Sequence, residues 1–432
     1  MKTDIVIVGC GVGGLYCALN LPAEKRIVIV TKDQAPHSDS YLAQGGICVL
    51  PDESDYDAFY EDTMRAGHYE NDPRSVEIMI RSSRAVIDDL VSYGVEFEKD
   101  GNGFAYTREG AHSRPRILFH EDETGKEITS HLLAAARTRP NITLIENFTM
   151  VDLMTEGNVC HGIIGHYQDG RYVSIAADYT VLATGGIGGL FEHSTNYRHL
   201  TGDGLAVALK HGVKLAHIDY IQIHPTSLYT KQEGRKFLIS ESVRGEGAVL
   251  LNSRGERFVN ELLPRDVVAK AITAEMEREG TAHVWLSLAA IPREEIKSHF
   301  PHIYQRCLEE GYDITRESIP VVPSQHYFMG GIQVDEYSKT SMNRLYAVGE
   351  TACNGVHGKN RLASNSLLES LVFAGRAAAH MADGYTADEG DHDIAVDERV
   401  YAHYADRYKQ AVLAAIEKEK HSHEYHHHEN EC

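Results

Sequence analysis

The chain has 432 residues, of which 42% are hydrophobic, and its formal net charge is −21 at pH 7. This length allows a large core divided among two or three domains. The negative charge argues against nucleic acid as a partner, because a phosphate backbone would be repelled over most of the surface. An acidic substrate would meet the same repulsion, so it requires a local cluster of cationic side chains.

The sequence predicts no membrane span, no export signal and no metal site. We expect no membrane span, because no window approaches the roughly 18 consecutive apolar residues of a membrane helix. The first residues lead directly into an apolar strand without an export signal, so we expect a cytoplasmic location. The seven cysteines contain no Cys-x-x-Cys pair, which favours reduced thiols and predicts no metal site. We interpret the His-rich residues 421–428 as a solvated tail.

The chain opens with a strand, a helix and a second strand. Residues 4–8 and 26–30 are apolar runs typical of strands, and residues 15–21 between them fit a helix. This βαβ pattern predicts parallel strands.

A glycine loop lies between the first strand and the helix. Gly9-Cys10-Gly11-Val12-Gly13-Gly14 matches the Gly-x-Gly-x-x-Gly pattern. The first glycine permits a tight turn, the second lets the backbone approach a pyrophosphate, and the last lets helix and strand pack closely. The motif predicts a dinucleotide site at Gly9, Gly11, Gly13 and Gly14. Thr31 stands where a ribose-binding carboxylate is usual, about 20 residues further on, and we include Thr31 and Lys32 among the predicted cofactor-binding residues.

Several later segments favour FAD over NAD, since the glycine loop alone serves either cofactor. They are rich in small residues and could follow a long cofactor, although each alone could be a plain turn. The cofactor-binding residues predicted in them are Ser40, Ala43, Gln44, Gly45, Gly46, Thr184, Gly185, Asp203, Gly349 and Glu350.

The domain organisation follows from where these patterns occur. Residues 179–183 and 345–348 predict further strands, whereas residues 218–326 show a mixed pattern punctuated by prolines. We therefore predict an α/β fold in which residues 1–217 and 327–381 form a Rossmann-like FAD-binding domain. Residues 218–326 form an inserted α+β capping domain. Residues 382–432 form a short helical C-terminal segment, with a helix over residues 393–420.

Five more motifs occur at residues 108–114, 222–226, 241–248, 264–266 and 357–366. Together with the glycine-rich segments, in this order over about residues 3–381, they resemble the succinate dehydrogenase and fumarate reductase flavoprotein family. Within that family the resemblance is strongest to the branch that oxidises L-aspartate. The resemblance implies an FAD-dependent oxidoreductase.

Two residues distinguish branches of this family. Members that attach flavin covalently carry a histidine where this chain has Asp39, so the resemblance implies noncovalent FAD. Glu109 stands where the dicarboxylate reductases usually have an uncharged amide. A carboxylate there can pair with the ammonium of an amino acid, which succinate lacks.

The resemblance also implies a dicarboxylate site. It places His224, Ser240, His326 and Arg361 around the two carboxylates, with Arg244 near the side of the inserted domain. Arginine matches a carboxylate with two parallel hydrogen bonds, and histidine adds a shorter donor. Arg265 is assigned to proton transfer, and the alternative for Arg265 is a salt bridge to Asp266 or Glu261.

The implied reaction is oxidation of L-aspartate to iminoaspartate by hydride transfer to FAD. Oxygen would reoxidise the flavin and give hydrogen peroxide, or fumarate would serve instead. This is the first step of de novo NAD biosynthesis, with quinolinate synthase as the pathway partner. Asn365, Ser366 and Leu367 begin a predicted helix whose positive end would face the flavin, although core packing also explains that helix.

Three alternatives remain open from the sequence. The first is a fumarate reductase or succinate dehydrogenase flavoprotein of the same fold, and the second is a noncatalytic flavin carrier. The third is an oxidase for a broader range of amino acids, which a second anion-binding group should disfavour.

Overall fold

The structure is a computed structural model that describes residues 1–101, 103–390, 392 and 394–430, with only the backbone described over residues 423–430. Its strands are β1 Lys2–Val8, β2 Ile27–Val30, β3 Ile47–Cys48, β4 Lys99–Asp100, β5 Gly103–Phe104, β6 Ile117–Leu118, β7 Ile142–Ile145, β8 Phe148–Glu156, β9 Val159–Tyr167, β10 Tyr172–Leu182, β11 Leu215–Ala216, β12 Ile221–Leu228, β13 Val249–Leu251, β14 Val284–Ser287, β15 Ile319–Phe328, β16 Gly331–Gln333, β17 Leu345–Ala347 and β18 Ala352–Cys353. Its α-helices are α1 Val12–Asn20, α2 Asp39–Leu42, α3 Tyr56–Ala66, α4 Pro73–Ser92, α5 Thr124–Thr138, α6 Asp203–Lys210, α7 Glu241–Gly245, α8 Arg265–Glu279, α9 Arg293–His299, α10 Pro301–Glu309, α11 Asn365–Asp383 and α12 Tyr404–Asn430.

The main sheet has the strand order β7-β2-β1-β10-β9-β8, and β17 also pairs with β10. The pairs β1–β2, β2–β7, β1–β10 and β10–β17 are parallel, whereas β8, β9 and β10 form an antiparallel meander. Residues Ile5 to Val8 of β1 and all four residues of β2 are buried, as parallel strands covered on both faces require. The predicted α/β class and the opening βαβ unit are confirmed.

Helix α1 begins at Val12, earlier than predicted, because its first turn contains Gly13 and Gly14. The apolar period that predicts the helix starts only after those two glycines. The glycine loop therefore reaches into the helix, and the first helical amides lie beside it.

A second sheet has the order β12-β15-β14-β13 and is antiparallel throughout. It carries its own apolar core, which includes Leu228, Ile272, Leu286 and Val321. Helix α8 packs on β12 and β15. The domain boundaries stay a prediction, and β15 continues past residue 326 to Phe328.

The C-terminal segment differs from the predicted helix over residues 393–420. A short 3-10 helix spans Glu398–Tyr401, and α12 begins only at Tyr404. The residue before it, His403, has a φ of 55°, which interrupts helical geometry. Residue 393 lies outside the described residues. Val412 and Ile416 of α12 join the core cluster that contains α6.

The backbone of the His-rich residues 421–428 continues α12. None of the helices in the described ranges is long and apolar enough to cross a bilayer. The described cysteines are free and buried, and Cys432 lies outside the described residues. Asp388 accepts hydrogen bonds from His161 and His392, which attaches the segment after α11 to β9.

Candidate active site

One cleft collects the predicted cofactor residues. It opens at the carboxyl ends of β1, β10 and β17, where open α/β sheets bind their ligands. Of the predicted cofactor residues, those that line it are Gly9, Gly11, Gly13, Gly14, Thr31, Lys32, Ser40, Ala43, Gln44, Gly45, Gly46, Thr184, Gly185, Asp203, Gly349, Glu350, Ser366 and Leu367.

The glycine loop has a geometry that other residues could not adopt. Gly9 has a φ of +113°, and a Cβ there would lie 2.0 Å from the carbonyl oxygen of Ala183. A Cβ at Gly14 would lie 2.1 Å from the carbonyl oxygen of Gly9. The Val12 amide at the start of α1 donates to Ser40 Oγ at 3.2 Å. Gly11 at the N-cap has no side chain to cap the next amides, so those of Gly13 and Gly14 can donate to a phosphate.

The rest of the cleft fits a dinucleotide flavin. Asp39 Oδ2 and Gln44 Oε1 are buried and have no hydrogen-bond partner within the part of the chain that the structure describes. Burial raises the pKa of Asp39 and of Glu350, and the Asp39 carboxylate adds to the rise at Glu350. Buried acceptors of this kind require a donor, which the hydroxyl and imide groups of FAD supply. Lys32 Nζ lies 2.8 Å from Asp203 Oδ2 at the opposite wall.

Six of the residues predicted for catalysis line the same cleft: Glu109, His224, Ser240, Arg265, His326 and Arg361. They come from six separate regions of the sequence and meet beside the second sheet. Arg361 is buried with its guanidinium 4.4 Å from the centre of the Tyr327 ring. Burial lowers the pKa of Arg361 to about 10, which leaves it cationic at neutral pH.

The two histidines are neutral hydrogen-bond donors rather than cations. Burial lowers the pKa of His224 and His326 well below 6.5, and the charge of Arg265 lowers them further. His224 Nδ1 accepts from the Thr226 amide at 3.1 Å, which leaves the proton on Nε2. That Nε2 is buried without a partner among the described residues, so it is available to an anion in the cleft.

Arg265 is held by a carboxylate that the sequence analysis did not single out. Its Nε lies 2.5 Å from Glu241 Oε2, and its Nη1 donates to Gln222 Oε1 at 3.0 Å. The alternative salt bridges are wrong, because Asp266 pairs with His68 and Glu261 pairs with Arg257. Glu241 lies within the 241–248 motif, whose acid residues carried no separate signal.

Arg244 lies behind this pair and does not line the cleft. It is buried, donates to the carbonyl oxygen of Glu261 and has Nη2 3.9 Å from Glu241 Oε2. Burial alone would raise the pKa of Glu241, but Arg265 and Arg244 together lower it. Asn365 also lies outside the cleft lining, since its side-chain amide is buried and donates to Thr63 Oγ1 at 3.2 Å.

Glu109 is the second buried carboxylate of the cleft. Its Oε1 accepts from Ser242 Oγ at 2.9 Å and its Oε2 from Ser364 Oγ at 2.7 Å. Burial raises the pKa of Glu109, and the nearby Glu241 raises it further. Two buried carboxylates, Glu109 and Glu241, thus lie among three buried arginines, which are Arg244, Arg265 and Arg361. This excess of positive charge makes the local potential favourable to an anionic substrate although the protein as a whole is acidic.

Comparison with known proteins defines the class. A family described as FAD binding domain matches residues 4–367. A structure of E. coli quinol fumarate reductase superposes with a TM-score of 0.84 at 28% identity, over 94% of this chain and 74% of that one. Mycobacterium smegmatis Sdh1 gives a TM-score of 0.78 at 32% identity, over 94% and 72% of the two chains. The protein is therefore an FAD-binding oxidoreductase of the succinate dehydrogenase and fumarate reductase fold, and FAD is its cofactor.

The sequence relatives narrow the assignment. L-aspartate oxidase of Clostridium perfringens is 51% identical over 376 residues, covering 87% of this chain and 85% of the relative. L-aspartate oxidase of Clostridium acetobutylicum is 49% identical over 383 residues, covering 88% of each chain. The chain belongs to the L-aspartate oxidase family, which confirms the resemblance drawn from its motifs.

Proposed function

We propose that the protein oxidises L-aspartate to iminoaspartate. The observation that carries the proposal is a buried carboxylate, Glu109, in the same cleft as Arg265, Arg361 and two neutral histidines. A diacid needs cationic and donor groups for two carboxylates, and an α-amino diacid needs in addition an anionic partner for its ammonium. The names of the relatives support the same substrate.

Binding is assigned to the residues that the structure brings together. Arg361 and Arg265 present guanidinium groups to carboxylates, and His224 and His326 add neutral donors. Ser240 lines the cleft beside them. Arg361 Nε and His224 Nε2 are buried without partners among the described residues, and a bound carboxylate would satisfy both. We assign the ammonium of the substrate to Glu109.

Proton transfer is assigned to Arg265. An isolated guanidinium is a poor base, because its ordinary pKa lies above about 12. Contact between Arg265 Nε and Glu241 Oε2 gives the proton a carboxylate to move to. Arg244, whose Nη2 lies 3.9 Å from the same oxygen, stabilises the charged form of that carboxylate. Glu109 holds or accepts the ammonium proton as the imine forms.

When bound, FAD would supply a two-electron acceptor for the substrate hydride, and oxygen, with release of hydrogen peroxide, or fumarate would serve as the final acceptor. The first turn of α11 at Ser366 and Leu367 lines the cleft and carries no side-chain cap, so its positive end favours negative charge there. Asp39, which cannot form the histidyl linkage of covalent members, supports noncovalent attachment. This oxidation would be the first step of de novo NAD biosynthesis, and its product would be passed to quinolinate synthase.

The proposal is tested by the product of turnover in air. Purified protein should release hydrogen peroxide with L-aspartate and give none with succinate, measured by a peroxidase-coupled assay. Activity with succinate alone would replace this proposal with a succinate or fumarate enzyme of the same fold. Turnover of monocarboxylic amino acids would instead indicate a broader oxidase.

A further inference from the structure

Ser242 contacts Glu109 but is not among the residues that line the cleft. It is the second residue of α7, half-buried, and its hydroxyl donates to Glu109 Oε1 at 2.9 Å. The same hydroxyl accepts from Ser240 Oγ at 3.2 Å. Ser240, which does line the cleft, is thus connected through Ser242 to Glu109.

Glu109 is held from a second element as well. Ser364, immediately before α11, donates to Glu109 Oε2 at 2.7 Å and has a φ of 61°, a left-handed conformation that is uncommon outside glycine. Gly45 closes a third side, because a Cβ there would lie 2.4 Å from Glu109 Oε1. Each oxygen of the Glu109 carboxylate therefore accepts a hydrogen bond from one serine hydroxyl, and the Gly45 backbone lies beside it. These contacts fix the orientation of the carboxylate.

We propose that Ser242 is a positioning residue that determines specificity for amino diacids over diacids without nitrogen. By fixing Glu109, it provides the anionic partner for the substrate ammonium, which a diacid such as fumarate lacks. The inference rests on the proposed function and extends it to a residue that does not itself contact the substrate.

The charges around Glu109 explain why the Ser242 hydroxyl is needed to keep this carboxylate charged and in position. Glu109 is buried beside Glu241, which repels it, while Arg265 and Arg244 both approach Glu241 Oε2. A hydroxyl that donates to a buried carboxylate stabilises its charged form. Without Ser242, Oε1 would be a buried acceptor with no donor, so the carboxylate would turn away or take up a proton. Either change removes the ammonium partner. It leaves in place the arginines and histidines assigned to the carboxylates, which are Arg265, Arg361, His224 and His326.

The test compares two substrates on one set of variants. Ser242→Ala should raise the KM for L-aspartate about tenfold, as expected when a hydrogen bond to a charged group is lost. The KM for fumarate, measured with a reduced dye as electron donor, should stay within about twofold, since fumarate makes no use of Glu109. Ser242→Thr keeps the hydroxyl and should restore the KM for L-aspartate. Ser298→Ala, on the exposed face of α9, is the matched control and should change neither.

An equal loss with both substrates, or an unchanged KM for L-aspartate, would overturn the role of Ser242. Ser242→Cys, which keeps the volume but donates weakly, provides the same comparison if the alanine variant does not retain flavin. Failure of the proposed function is distinguishable, because the unsubstituted protein would then not oxidise L-aspartate at all.

Discussion

The two ends of the cleft are built in different ways. The nucleotide end is mostly backbone, and its shape depends on Gly9, Gly14 and the first turn of α1. The substrate end is made of charged side chains from distant segments, buried together so that each sets the charge of its neighbours. In the glycine loop an added Cβ would clash with the backbone. In the buried charge cluster, removal of one partner would leave another charge buried and unpaired. Substitutions should therefore separate flavin binding from turnover.

The largest effect is expected at Arg265. Arg265→Gln should lower kcat by about a thousandfold, within the range of a general acid or base, because the group that takes a proton from the substrate and passes it toward Glu241 is lost. The flavin absorbance of the purified protein should be unchanged, since the glycine loop is intact. Arg278→Gln, an exposed residue of the same helix, is the control. Normal turnover by Arg265→Gln would remove Arg265 from the mechanism.

At Gly9 we expect the opposite result, which is loss of flavin binding. A Cβ at this position meets the carbonyl oxygen of Ala183 in a backbone conformation that disfavours side chains. Gly9→Ala should weaken FAD binding by on the order of a hundredfold, from about 3 kcal/mol of strain and displacement. The measurement is the flavin-to-protein ratio after gel filtration. Gly103→Ala, where no described atom lies within 4 Å, should bind FAD normally. A flavin-saturated Gly9→Ala protein would contradict the assignment of the loop.

A smaller effect, confined to one substrate, is expected at Glu109. Glu109→Gln should raise the KM for L-aspartate about thirtyfold, which corresponds to about 2 kcal/mol for a charge-assisted contact. Fumarate reduction should be retained, because it does not require an ammonium partner. Glu256→Gln, an exposed position in the capping region, serves as the control. Parallel losses with both substrates would indicate that Glu109 supports the fold of the site rather than the ammonium.

The pH dependence should show the same difference between substrates. The pKa of Glu109 is raised by burial and by Glu241, while Arg265 opposes the rise. Arg244 and Arg361 also face this carboxylate. As the pH falls through that raised pKa, Glu109 takes up a proton and loses the ammonium. The kcat/KM for L-aspartate should therefore fall about tenfold per pH unit on the acid side, starting above the ordinary range of a glutamate. A fumarate profile with the same acid limb would contradict this origin.

The sequence predicted the nucleotide end better than the substrate end. The glycine loop is contiguous and its chemistry is local, so Gly9, Gly11, Gly13 and Gly14 could be assigned from spacing and context. The segments from Ser40 to Gly46 and around Gly349 also meet at the cleft as expected. Arg244 and Asn365 were placed at the site through their motifs, yet each has its side chain turned to a buried partner outside the cleft.

The contacts that the sequence could not predict are those between charged and hydroxyl groups far apart in the chain. Glu241 was one acid among many in an acidic sequence, and only folding brings it to Arg265. Ser242 and Ser364 gave no signal, because a serine that donates to Glu109 has the same local pattern as one in any turn. The start of α12 was also missed, since the break at His403 is a backbone feature without a glycine or proline to mark it.

The most direct test of the account is reduction of the bound flavin under nitrogen. L-aspartate should bleach the oxidised flavin band of the purified protein at one equivalent per site, whereas succinate, L-glutamate and D-aspartate should leave it unchanged. Bleaching by succinate with no response to L-aspartate would contradict the assignment of Glu109 to an ammonium. A flavin that none of these diacids reduces would contradict a catalytic role for the cationic end of the cleft.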